Sequence, residues 1–298
     1  MNITIVGQGA MGLLWYHQLA KDSSNHLSLV CSSRIKSVPK TTIFSDINNE
    51  ITRKPLTLAN NSALYNAELI LICVKSYQIE SVLMTLAEQI NASATVIFCH
   101  NGMVDVNLFA PLKNACYALL TTHGSKIVKP FHVQHTGLGH NDLGLISGKA
   151  KPEIQEKLLA TLTRALPSLT FSNNIKEQQW LKLAINCVIN PITAIDNVEN
   201  GQLLNDKYTT VIDKLLSEII IVAADENVKF DFNELQESVR QVAKYTAKNC
   251  SSMRSDILQK RKTEINDING YIVHLAKKIG FSVPENEKLI QQVKMLEI

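Results

Sequence analysis

Two stretches of this chain carry residue types whose spacing suits chemistry. The first is Gly7-Gln8-Gly9-Ala10-Met11-Gly12, which fits the pattern G-x-G-x-x-G. It follows the apolar residues 3–6 and opens a run of helical spacing over residues 10–21. That strand–turn–helix setting is the one in which the pattern has a mechanism. Gly7 permits a tight turn, Gly9 lets backbone approach a pyrophosphate, and Gly12 lets the helix pack close to the strand. Gln8, Ala10 and Met11 complete the cradle, and the helix N-terminus turns free N–H groups and a positive dipole end toward phosphates. The second stretch is Trp180-Leu181-Lys182-Leu183-Ala184-Ile185-Asn186-Cys187-Val188-Ile189-Asn190-Pro191. On a helix, residues four apart differ by ~40° around the axis, so Lys182, Asn186 and Asn190 share one face. Their neighbours are almost all apolar, and buried Lys and Asn are costly without partners. The stripe therefore reads as the lining of a polar cleft. There an ammonium can hydrogen-bond a carbonyl oxygen and donate a proton as hydride reaches the carbon. Apolar surroundings are expected to lower the lysine's pKa. Pro191 is expected to kink or end the helix and to free a carbonyl near Cys187.

The end of the second strand selects the cofactor. An NAD site places an acidic residue there for the ribose 2′-OH. This chain reads Leu29-Val30-Cys31-Ser32-Ser33-Arg34, with no acid. Ser32, Ser33 and Arg34 offer hydroxyls and a guanidinium fork for a 2′-phosphate, which argues for NADP(H). Lys75 and Gln78, and then His100-Asn101-Gly102-Met103, follow buried strands, where open α/β sheets bind ligands. His100 and His123 read as turn histidines with no role in chemistry.

A further polar cluster runs from Asn249 through Ser252 to Asp256, followed by residues 262–270. Its serines read equally well as helix caps or as ligand contacts. Glu264 reads equally well as a solvated helix residue beside Lys260. Gly270 suggests close helix packing, since glycine inside a helix costs about 1 kcal/mol relative to alanine.

These residues need elements to position them. Residues 3–6, 27–31, 69–74, 95–99 and 116–121 read as strands, alternating with helices over 10–21 and 79–90. This rhythm predicts a parallel, doubly wound sheet. Residues 127–147, with three glycines among alternating Val, His and Leu, predict an antiparallel hairpin. A helix over 152–166 and a short strand over 169–171 follow. Beyond Asn174 the periodicity is helical, roughly over 175–199, 208–227, 232–248, 253–279 and 285–296. The fold class expected is α/β, an N-terminal Rossmann-type doubly wound sheet with an all-helical C-terminal domain. The expected domains are 1–170 for the cofactor and 171–298 for substrate and catalysis.

Composition narrows the classes. With 298 residues the chain is long enough for two domains, and 45% hydrophobic against 19% charged residues excludes disorder. A net charge of +3 is too small to argue for nucleic acid but suits a small anionic ligand. No stretch approaches the ~20 apolar residues of a membrane span, and the N-terminus lacks the marks of a signal peptide. The six cysteines follow no metal or redox spacing and read as free thiols in the cytoplasm. No metal is expected.

From residue 1 to about residue 295 the chain resembles the ketopantoate reductase (2-dehydropantoate 2-reductase) family. The resemblance rests on the glycine loop, Val74-Lys75-Ser76-Tyr77-Gln78, His100-Asn101-Gly102-Met103, Thr121-Thr122-His123-Gly124 and the Trp180–Pro191 segment. It continues in Asn200-Gly201, Asn249-Cys250-Ser251-Ser252-Met253, Thr263-Glu264-Ile265, Ile268-Asn269-Gly270 and Ser282-Val283-Pro284-Glu285-Asn286. It implies reduction of 2-dehydropantoate to (R)-pantoate with NADPH, on the route to pantothenate and coenzyme A. It implies Lys182 as proton donor, and Asn186, Asn190 and Asn200 as amides for the substrate hydroxyl and carboxylate. Ser252, with Asn249 nearby, falls on the carboxylate position. Glu264 falls on a glutamate that helps fix cofactor and substrate. Asn101 and Lys75 fall on cofactor-contacting positions, with Ser125 near another, and Asn101 is expected at the substrate as well. The chain carries one extra residue after strand two, so Arg34 or Ser33 takes the 2′-phosphate position. The substrate is expected between the domains of a monomer or homodimer. Two other readings compete: a reductase of another small 2-oxo acid, and an NADP-binding regulator without turnover.

Overall fold

The computed structural model describes residues 1–166 and 168–297. The chain divides into two compact units. The first holds residues 1–100 and 105–175, and the second holds residues 101–104 and 176–298.

In the first unit the elements run β1 (Asn2–Val6), α1 (Ala10–Leu19), β2 (His26–Val30), β3 (Thr41–Ser45), β4 (Ile51–Pro55), α2 (Asn61–Tyr65), β5 (Leu69–Ile72), α3 (Ile79–Leu86), β6 (Thr95–Phe98), β7 (Cys116–Thr121), β8 (Gly124–Lys129), β9 (His132–Gly137), β10 (Asn141–Ser147), α4 (Pro152–Ala165) and β11 (Leu169–Phe171). Seven strands form one sheet in the order β11-β10-β7-β6-β5-β1-β2. The pairs from β2 to β7 are parallel, β10 runs antiparallel to β7, and β11 is parallel to β10. This is a Rossmann-type sheet. Every residue of β5 and β6 is buried. Strands covered on both faces have no solvent side, so their sequences show no alternation.

The expected hairpin over 127–147 is corrected. Only β8 and β9 form an antiparallel pair with each other, and they belong to a second, four-stranded sheet of order β4-β3-β9-β8. β10 joins the main sheet instead. The second sheet was not expected at all. β3 pairs in parallel with β9, Ile43 opposite His132, and no local pattern announces a partner so distant in sequence.

The second unit contains α5 (Ile175–Ile195), α6 (Thr209–Asp225), α7 (Phe232–Tyr245), α8 (Ser252–Leu258), α9 (Asn269–Lys278) and α10 (Pro284–Leu296), with a 3-10 turn over Asn200–Leu204. Trp180, Ala184, Cys187 and Val188 of α5 are fully buried in its core with Leu215 and Ile219 of α6 and Ile272 of α9. One expectation fails here. The helix read over 253–279 is two helices separated by a non-helical stretch. Lys260 sits at φ +53°, in the left-handed region, and the backbone N–H and hydroxyl of Thr263 both donate to Glu297 Oε1, at 2.7 and 2.5 Å. Those bonds replace helix continuation. Of the two outcomes expected at Pro191, a kink or an end, the end is excluded, since α5 runs on to Ile195.

Candidate functional site

In the first unit the glycine loop is built as its residue types require. Gly7 has φ +110°, and its N–H donates to the Val30 carbonyl at 3.0 Å, tying the loop to β2. A Cβ at Gly7 would fall 2.8 Å from the Cys73 carbonyl oxygen, and one at Gly12 would fall 2.0 Å from the Gly7 carbonyl oxygen. Both glycines are therefore demanded by the fold. Gly9 differs. It is exposed and lies at φ −70° as the N-cap of α1, and the nearest atom to a Cβ there would be 3.9 Å away. None of the described residues needs that position bare. A ligand backed against the loop would. The N-cap offers no side-chain hydrogen bond to the first turn of α1, which carries no acidic residue. Its first N–H groups therefore suit a phosphate. The residues present fit a dinucleotide.

Gln8 reaches back from the loop, and its Oε1 accepts from the Ser32 N–H at 2.9 Å. Ser32 Oγ accepts from the Arg34 N–H at 3.3 Å. Ser32, Ser33 and Arg34 are exposed just past β2, on a turn held by these bonds. Ser125, on β8, donates from Oγ to Met11 Sδ at 3.1 Å, so the second sheet brings it to the start of α1. Gln78 Oε1 accepts from the Lys75 N–H at 3.2 Å. The Gln78 side chain thus shapes the turn after β5, while Lys75 is half-buried there. Burial pushes the Cys73 thiol up, with Cys99 beside it adding to the shift. Burial does the same to Cys187 and takes Cys116 to about 12. Nucleophilic thiol chemistry needs a thiolate, so these cysteines are packing residues. His123 is buried in the turn between β7 and β8. Its Nδ1 lies 3.0 Å from His135 Nε2 and accepts from the Gly139 N–H at 3.2 Å.

In the second unit Lys182, Asn186 and Asn190 lie on α5, with Lys182 and Asn186 half-buried and Asn190 buried. Among the described residues, neither the Asn186 nor the Asn190 side chain has a hydrogen-bond partner. Asn200 is buried. Its Nδ2 donates to Thr246 Oγ1 at 2.9 Å, and among the described residues its Oδ1 has no partner. Its N–H donates to the Asn249 carbonyl at 3.1 Å, which places exposed Asn249 beside it. The two serines divide their roles. Buried Ser251 is the N-cap of α8, accepting from the Arg254 N–H at 3.1 Å and from Thr193 Oγ1 of α5 at 2.7 Å. Ser252 is the exposed first residue of α8.

Glu264 is not a solvated helix residue. It is 4% exposed and sits in the turn leading into α9, where its carbonyl accepts from the Asp267 and Ile268 N–H groups. The Asn101–Val104 segment docks on that turn. Met103 N–H donates to the Asp267 carbonyl at 2.9 Å, and a Cβ at Gly102, at φ +74°, would fall 2.4 Å from that same oxygen. Asn101 therefore belongs with Glu264 in the second unit. At Gly270 an added Cβ meets nothing closer than 3.5 Å, so the expectation of close helix packing there is corrected. Sequence reasoning missed the partners that hold the site residues, Thr246, Thr193 and Asn269. The proline in α5 was the one signal that pointed toward any of them. Among the described residues there is no group of His, Cys, Asp and Glu able to hold a metal, and no helix is long and apolar enough to cross a membrane.

The fold and the glycine cradle define a Rossmann-type α/β protein joined to a helical unit. Residues 3–148 match the family model described as ketopantoate reductase PanE/ApbA, and residues 174–297 match its C-terminal counterpart. The chain is 34% identical to a 2-dehydropantoate 2-reductase of Vibrio cholerae, covering 100% of this chain and 98% of the relative. It is 30% identical to one of Salmonella typhimurium, covering 100% and 95%. Among solved structures, a PanE/ApbA family ketopantoate reductase from Ralstonia eutropha superposes with a TM-score of 0.86 at 25% identity, covering 100% and 98%. A D-mandelate dehydrogenase solved with NADH and anilino(oxo)acetate superposes with 0.90 at 24% identity, over the same shares. The chain belongs to the ketopantoate reductase family.

Proposed function

We propose that this protein reduces 2-dehydropantoate to (R)-pantoate with NADPH, as a 2-dehydropantoate 2-reductase serving pantothenate and coenzyme A synthesis. The observation that carries the reading is the α5 stripe, a lysine and two amides on one helix face, the two amide side chains having no hydrogen-bond partner among the described residues. Full-length similarity to relatives bearing that enzyme's name supports it.

In this reading residues 1–170 serve the cofactor and residues 171–298 serve substrate and catalysis. Gly7, Gln8, Gly9, Ala10, Met11 and Gly12 hold the pyrophosphate. Ser33 and Arg34 take the 2′-phosphate, and Lys75, Gln78, Asn101 and Ser125 make further cofactor contacts. NADPH, when bound, supplies hydride. Lys182 polarises the ketone through a hydrogen bond to its oxygen and donates the proton there, so that C=O becomes CH–OH. Asn186, Asn190 and Asn200 hold the substrate hydroxyl and carboxylate. Asn249 and Ser252 add to the carboxylate side, Asn101 contacts substrate as well, and Glu264 fixes the reacting groups near the lysine. The enzyme works as a monomer or homodimer in the cytoplasm, a reducing setting that suits six cysteines held as thiols.

The test is NADPH oxidation at 340 nm with 2-dehydropantoate, run beside NADH and beside other 2-oxo acids. Turnover selective for NADPH and 2-dehydropantoate is expected. Faster turnover of another 2-oxo acid would replace the substrate. Tight NADPH binding with no turnover of any would leave a regulator.

A further inference from the structure

We infer that Asn269 is a positioning residue for the Lys182 helix, its side-chain amide replacing the backbone donor that Pro191 lacks. The inference rests on the reading of Lys182 as proton donor.

Pro191 lies inside α5, and the helix continues past it. Proline has no N–H, so the carbonyl four residues earlier, that of Cys187, loses its ladder partner. Cys187 is 0% exposed, which leaves little access for water, and an unpaired buried carbonyl is costly. Asn269 Nδ2 donates to that carbonyl at 2.9 Å. Asn269 is itself 0% exposed and is the first residue of α9.

The orientation of this amide is imposed from further away. Glu218, on α6, accepts from the Glu285 N–H at 2.8 Å and from the Asn286 N–H at 3.1 Å, at the start of α10. It also accepts from Asn286 Nδ2 at 2.7 Å. With its Nδ2 facing Glu218, Asn286 turns Oδ1 toward Asn269, whose Nδ2 donates to it at 3.0 Å. The two N–H bonds of Asn269 Nδ2 then have two acceptors, Asn286 Oδ1 and Cys187 O. Among the described residues its Oδ1 has no partner, so the residue is present for its donors. A flipped amide would set oxygen against oxygen at both contacts.

This chain of bonds joins the two segments whose side chains the reaction needs. Cys187 lies between Asn186 and Asn190, one turn beyond Lys182. Asn269 closes the turn that begins at Glu264, where the Ile268 N–H returns to the Glu264 carbonyl at 3.0 Å. Asn269 thus pins the Glu264 turn to the Lys182 helix. A displacement of about 1 Å in such a pair costs about 100-fold in rate.

The experiment is a double-mutant cycle of Asn269→Ala and Pro191→Ala. Alanine at 191 restores an N–H that can reach the Cys187 carbonyl. Wild-type turnover is measured first, and its absence would remove the Lys182 reading rather than this one. Given turnover, Asn269→Ala is expected to lower kcat about tenfold or more, with KM for the 2-oxo acid and Kd for NADPH within about threefold. In the Pro191→Ala background the same substitution should lower kcat less than threefold. A melting point that falls while kcat stays within twofold would make Asn269 a purely structural residue and overturn the inference. An equal kcat loss in both backgrounds would overturn the link through Cys187. Should Asn269→Ala not fold, the double variant decides. Folding with near-Pro191→Ala kcat supports the inference, and failure to fold, or folding with kcat tenfold or more below Pro191→Ala, rejects it.

Discussion

A Cβ placed on Gly12 would lie 2.0 Å from the carbonyl oxygen of Gly7, whereas one placed on Gly9 would have nothing closer than 3.9 Å. The glycines of one motif therefore answer to different demands: the fold requires Gly12, while in the proposed reading a ligand requires Gly9. Gly12→Ala is expected to destabilise the first unit by about 3 kcal/mol, as overpacking against backbone does, and to lower the melting temperature by roughly 10 °C. Gly9→Ala is expected to melt within 2 °C of wild type yet bind NADPH about tenfold more weakly. Differential scanning calorimetry with cofactor titration separates the two. Equal losses of stability in both variants would contradict the division.

Arg34 carries the cofactor preference in the proposed reading. It is exposed past β2, on a turn fixed by the Ser32 bonds to Gln8 and to its own N–H. Arg34→Ala is expected to weaken NADPH by about 10- to 100-fold, the worth of charge-assisted hydrogen bonds to a phosphate, and to leave NADH within about twofold. Fluorescence titration with both cofactors measures the ratio. An unchanged ratio would move the 2′-phosphate site to Ser33 or elsewhere.

Lys182→Ala is expected to lower kcat by about 100- to 10,000-fold, the usual contribution of a positioned proton donor. NADPH affinity should stay within a few-fold. Steady-state kinetics beside cofactor titration checks both numbers, and a kcat within a few-fold of wild type would remove the proton-donor assignment.

His17 makes the protein sensitive to mild acid. It lies on α1 against β3 of the second sheet, 3% exposed, with Nε2 3.3 Å from Thr42 Oγ1 and its ring stacked on Phe44. Burial, followed by the charges of Lys54 and His132, lowers its pKa to about 4. The unfolded chain takes up this proton near the ordinary value of 6.5, while the folded one resists until about 4. Stability from this group is full above pH 6.5 and falls as the pH drops from 6.5 to 4, by about 3 kcal/mol in all. Urea unfolding at pH 7.0, 5.5 and 4.5 should show a steeper decline for wild type than for His17→Gln. Parallel curves would mean that the ring is already protonated or solvated in the folded state.

What the sequence alone determined was local. The glycine cradle was legible because six consecutive residues set its geometry, and the Lys182–Asn186–Asn190 stripe because helix periodicity turns spacing into a shared face. The doubly wound order of the first unit followed from short apolar runs alternating with helical ones. The tertiary structure decided whatever depends on partners far along the chain. β3 and β4 became a sheet only through pairing with β9, 89 residues from Ile43 to His132. The stretch before α9 left the helix because Glu297 captures Thr263, and Glu264 became buried with it. Pro191 showed that a carbonyl would be freed, but not that Asn269, 82 residues beyond Cys187, would fill it. Local propensity acts within a few residues, whereas a buried polar group accepts whichever partner the completed packing brings within 3 Å.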